Sequence, residues 1–140
     1  MRNCFLLLMV FGCFSTMIYS CQSSDQVTQA MYYTNGHDLY VRRCQNCHGE
    51  HGEGLEALIP PLTDKAFLKD HKRSLACIIK NGLDQRIQVD KRYYQEKMPA
   101  ASDLNDIDIA QLIVYITNVN GSKQGMYSTS QVAVDLADCK

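Results

Sequence analysis

The chain has no tryptophan and only three prolines, at positions 60, 61 and 99, so proline can stiffen a loop in two places and no more. It has no surplus of basic charge: 14 Lys and Arg stand against 15 Asp and Glu, a formal −1. A near-neutral chain lacks the electrostatic footprint of a nucleic-acid binder. At 140 residues it also lacks the length for two independent cores, which leaves one small domain and a little extra chain. Its one apolar run, at the N-terminus, is short for a membrane span of about 20 residues. Of seven cysteines, only Cys44 and Cys47 are closely spaced outside the N-terminal segment, so the second ligand pair of a structural zinc site is missing.

What is present begins with "MRNCFLLLMVFGCFSTMIYS", where Arg2 precedes an almost unbroken apolar stretch. Residues 1–20 therefore read as an export signal. Ile18 and Ser20 ahead of Cys21 resemble the bacterial lipoprotein cleavage box, whose cysteine becomes the lipid-bearing first residue. Tyr19 departs from that box, and an ordinary cleaved signal or an uncleaved anchor is the alternative. The expected address is extracytoplasmic, on the periplasmic face and membrane-anchored through lipid on Cys21. Residues 21–33, polar and without helical apolar periodicity until their end, read as a tether.

Cys44, Cys47 and His48 stand together in "RRCQNCHGEHG". Two cysteines separated by two residues, with a histidine directly behind the second, form the covalent attachment motif of c-type haem. A thioredoxin-like redox pair would instead open a helix, whose dipole lowers the thiol pKa. Here "NGHDLYVRRCQNCH" supports a helix from about Gly36, with Asn35 as N-cap, that ends at the motif.

Iron held by one histidine keeps an open position, so a second ligand decides the chemistry. Met98 in "EKMPAASD" is the leading choice, because Pro99 pushes it out of helical geometry into an extended strap. His71 is the alternative, giving bis-histidine ligation. Met31 and His37 lie just upstream of the motif, His51 is too close to His48, and Met126 lies in the tail. The His48 imidazole needs an acceptor for its other nitrogen, and the Pro60 carbonyl in "LIPPL" can serve.

The stretch from Gly36 to about Asn118 resembles the class I c-type cytochromes, the small monohaem electron carriers. Gly36 and Tyr40 before Cys44, Pro60 and Leu62, Met98 with Pro99, and Leu112, Tyr115 and Ile116 carry the likeness. It implies an all-α cytochrome c fold over residues 34–120, with three to four core helices around one covalently bound haem c. It also implies that the first and last of these helices cross at Gly36.

The residues themselves add detail. Asn105 caps "DIDIAQLIVYITN", in which Ile109, Leu112, Ile113 and Ile116 form one apolar stripe. Asp70 caps "HKRSLACIIKNG", which Gly82 stops. Residues 83–95 read as a hairpin turning at Asp90 and Lys91, a surface excursion near the haem edge, with Tyr93 or Tyr94 as contacts there. Cys77 faces away from the stripe of its helix, while Cys139 follows Val132 and Leu136 on an apolar face. The phases predict a Cys77–Cys139 disulfide pinning a helical extension, residues 121–140, onto the domain. From Lys65 to Lys97 nine residues are basic and four acidic, a surface suited to an acidic redox partner.

The resulting expectation is a one-electron carrier of an extracytoplasmic chain and not an enzyme. The alternatives are a haem subunit of a membrane oxidase or reductase, and a haem enzyme or sensor with a displaceable Met98.

Overall fold

A computed structural model describes residues 24–119 and 123–139 of the chain. The signal segment and Cys21 lie outside these residues. Helix α1 runs from Ser24 to Arg43, with Asp25 in its first turn and Arg42 and Arg43 in its last, the charge order that a helix dipole favours. It starts twelve residues before the expected Gly36, so Asn35 lies inside the helix and caps nothing. The part of the expected tether from Ser24 to Tyr33 is therefore helical. It contains no glycine or proline to stop a helix, and its later turns are anchored: the Tyr33 ring lies 5.2 Å from that of Tyr115, and Tyr32 packs on the core. The sparse apolar pattern reported how little of this segment is buried, not how it is folded.

Helix α2, Gln45–His48, follows a break at Cys44. Asp64 then caps α3, Lys65–Asp70, accepting from the backbone N–H of Ala66 and Phe67. A 3₁₀ turn, Lys72–Ser74, leads into α4, Leu75–Asn81. Asp70 is thus the last residue of α3 and not the cap of the next helix, because Asp64 had already started one. Gly82 ends α4 as expected, at φ +75°. Strands β1, Ile87–Val89, and β2, Arg92–Tyr94, pair antiparallel with Ile87 opposite Tyr94 and Val89 opposite Arg92. Asp90 and Lys91 both take positive φ, the geometry of a two-residue hairpin turn. This hairpin is the only sheet among the described residues of an otherwise helical fold.

Helix α5, Asp106–Asn118, carries the expected cap, and Asp108 completes a capping box with Asn105. It is not amphipathic in the expected way: every residue from Ile109 to Thr117 is buried. The reason is that α1, α3, α4 and the tail helix α6, Thr129–Ala137, all pack against it. Gly36 makes the closest crossing, since a Cβ there would stand 2.0 Å from the Gln111 carbonyl oxygen.

The tail follows the expected course. Cys77 and Cys139 are disulfide-bonded with Cα atoms 5.7 Å apart, and Cys139 lies just past the end of α6. Arg73 pairs with Asp135 and Asp138, Tyr127 donates to the buried Asp135 carboxylate, and Val132 is fully buried. Among the described residues no helix is long and apolar enough to cross a membrane.

Candidate functional site

The end of α1 delivers the cysteine motif. The Cys44 N–H still donates to the Tyr40 carbonyl at 2.8 Å, and the His48 N–H to the Cys44 carbonyl at 2.9 Å, so one irregular turn carries both thiols and the imidazole. Tyr40, buried one turn earlier, donates its hydroxyl to the Gly49 carbonyl at 2.6 Å and ties the helix to the loop behind His48. Cys44 is half-buried and Cys47 exposed, and neither is in a disulfide. Burial, with Cys47 next to it, pushes the Cys44 thiol up to about 11 against a smaller opposing effect of Arg43. The pair sits at the end of the long helix α1 and not at its start, unlike a thioredoxin-like redox pair.

His48 is buried, and its Nδ1 lies 3.2 Å from the Pro60 carbonyl oxygen. Burial holds its pKa below the ordinary histidine value, against the Pro60 bond that raises it. A neutral ring donating from Nδ1 to a carbonyl leaves Nε2 as a free lone pair, the state an iron ligand requires. The loop that brings Pro60 round is closed by the Leu62 N–H donating to the Gly52 carbonyl at 2.7 Å and the Gly54 N–H to that of His48 at 2.8 Å.

Met98 comes from a separate segment, fifty residues after His48. It is half-buried on an extended segment that pairs with Leu83, the two exchanging backbone hydrogen bonds of 3.0 and 2.9 Å. Cys44, Cys47, His48, Pro60 and Met98 line one cleft that is partly open to solvent. Leu68, Leu75, Ile79 and Ile116 are among its mostly apolar walls, and Gln85, Glu96 and Lys97 are its exposed polar residues. An apolar slot with an aromatic nitrogen, a thioether and two thiols fits the covalent haem that the motif predicts.

The rival ligands are elsewhere. His71 is exposed, with its Nδ1 3.0 Å from the Phe67 carbonyl oxygen and its ring stacked on Phe67 at 4.1 Å. Met31 is exposed on α1, and the His37 ring meets the edge of Tyr115. Neither they nor His51 and Met126 line the cleft. Among the described residues no group of three or more His, Cys, Asp and Glu side chains is placed to hold a metal ion.

Of the two tyrosines, Tyr94 is buried and lines the cleft, while Tyr93 is 56% exposed and lies under the Arg86 guanidinium at 3.8 Å. Neighbours on a strand face opposite ways, so only one of the pair can reach the cleft, and Tyr93 is withdrawn as a contact. Sequence reasoning missed Asp64, whose second carboxylate oxygen accepts from the Asp90 N–H at 3.1 Å and so binds the hairpin to α3. The signal was an Asp directly before "KAFLKD", an ordinary N-cap pattern.

The family described as Cytochrome c matches residues 33–120 of the chain. No curated protein matches it.

Proposed function

The chain belongs to the cytochrome c family, whose members bind haem c covalently, and from that premise we propose that it is a one-electron carrier with a single haem ligated by His48 and Met98. When bound, the haem supplies a one-electron couple, which histidine and methionine ligation places at relatively high potential. Cys44 and Cys47 would hold it by thioethers. Pro60 fixes the tautomer and orientation of His48, and the apolar walls keep water from the ligands. The observation that carries the reading is that His48 and Met98, fifty residues apart, line the same apolar cleft beside the cysteine pair.

An extracytoplasmic address is supported by the Cys77–Cys139 disulfide, a bond that persists in oxidising compartments. Attachment to a membrane through lipid on Cys21 completes the proposal. The partner we propose is an acidic redox protein. Lys65, Lys69, Lys91 and Arg92 are exposed and engaged by no ion pair among the described residues. Such charges speed encounter and are screened by salt.

Carbon monoxide is the direct test. The ferrous protein should not bind it readily, and the ferric protein should show the methionine-to-iron charge-transfer band. Ready binding with no such band would instead indicate a sensor or enzyme. Transfer to the physiological partner should slow as ionic strength rises, and indifference to salt would remove the docking proposal.

A further inference from the structure

The segment from Met98 to Leu104 belongs to no helix and no regular strand, yet its backbone is tied at successive points to the end of α4. Leu83 exchanges two hydrogen bonds with Met98, and the Ala101 N–H donates to the Ile79 carbonyl at 3.0 Å. Lys80 reaches across and donates its ammonium to two carbonyl oxygens, Ser102 at 2.8 Å and Leu104 at 2.6 Å. Bonds from a charged donor are shorter and stronger than neutral ones. Gly82 lies flush against the same segment: a Cβ there would stand 2.4 Å from the Met98 carbonyl oxygen and 2.9 Å from the Ala100 nitrogen.

We infer that Lys80 and Gly82 are positioning residues for Met98, forming a clamp at the end of α4 that sets how readily an external ligand replaces the methionine. The inference rests on Met98 as the iron ligand, as proposed above. Opening of the strap carries Met98 away from the cleft wall, and an external ligand binds in proportion to the open fraction. Lys80 closes the far end of the strap and Gly82 its near end, so loss of either raises that fraction. Nothing in "CIIKNG" marks this lysine, because its acceptors lie more than twenty residues away and are backbone oxygens.

The test is imidazole titration of the ferric, haem-loaded full chain, with the charge-transfer band recorded in parallel. Lys80→Met keeps the length of the side chain and removes its donors. It should bind imidazole about tenfold more tightly, the scale of one or two lost hydrogen bonds. Lys80→Arg should stay near the wild type, and Gly82→Ala should weaken or abolish the band. Val132→Ala, in the tail core, should lower thermal stability without moving imidazole affinity. Unchanged affinity and a full band in both Lys80→Met and Gly82→Ala overturn the clamp, as does an equal gain in Val132→Ala, which would signal general loosening. A wild type without the band, and a Met98→Ala variant with wild-type imidazole affinity, remove the premise and the clamp together.

Discussion

The two sides of the cleft are built in different ways. On the histidine side, Cys44, Cys47, His48 and Pro60 fall within seventeen residues, and the bonds that place them join near neighbours: Tyr40 to Gly49, Gly54 to His48, His48 to Pro60. On the methionine side, Met98 owes its place to residues 79–83, and the hairpin between them to Asp64. One side is tied within its own loop, by bonds 9 and 12 residues apart, while the other holds an irregular strap by bonds to a neighbouring helix end 22 and 24 residues away, at a modestly larger closure cost. The histidine side should therefore fail only by chemistry, and the methionine side by opening.

The sharpest way to break this contrast is to remove one side at a time. Cys44→Ser with Cys47→Ser should leave no haem on the chain after denaturation, read by haem staining of a denaturing gel. Met98→Ala should keep the stain at wild-type strength while the ferrous protein gains carbon monoxide binding and the potential falls. If Met98→Ala also sheds its haem, the two sides are not separable.

Smaller effects sharpen it further. Cys77→Ser should destabilise the protein by about 4 kcal/mol in denaturant unfolding, the chain-entropy worth of a loop this long, while sparing the charge-transfer band. The Cys77–Cys139 bond spans 62 residues of sequence and pins the tail, not the strap. Asp64→Ala removes a cap and the tie to the hairpin, and should cost about 1–2 kcal/mol. Asn105→Ala, which breaks the capping box of α5 just past the end of the strap, should cost about 1 kcal/mol without changing the spectrum. A spectral change in Asn105→Ala exceeding that in Asp64→Ala would contradict the assignment of the hairpin to the methionine side.

The legible parts of the sequence were those in which one short motif carries its own physics. "CQNCH" put two thiols and an imidazole on one turn, "MP" specified an extended thioether, "ND" with Asp108 a helix start, and the phases of Cys77 and Cys139 a staple. Two expectations failed where burial came from elsewhere. The stripe on α5 underestimated a helix enclosed by four others, and the polar start of α1 was read as a tether although Tyr33 meets Tyr115 across the fold. Asp70 and Asn35 failed as caps because a plausible cap residue does not say whether a helix has already begun. Tyr93 and Tyr94 were indistinguishable until the register of the hairpin put one in and one out.

By itself, then, the sequence determined the cysteine and histidine set, the proline-bound methionine and the capped final helix, since each depends on residues a few positions apart. The tertiary structure alone decided that Met98 and not His71 lines the cleft with His48, and that Lys80 and Gly82 hold the strap. Both depend on backbone atoms brought together from distant segments, and a carbonyl oxygen awaiting a distant lysine leaves no mark on residue identity.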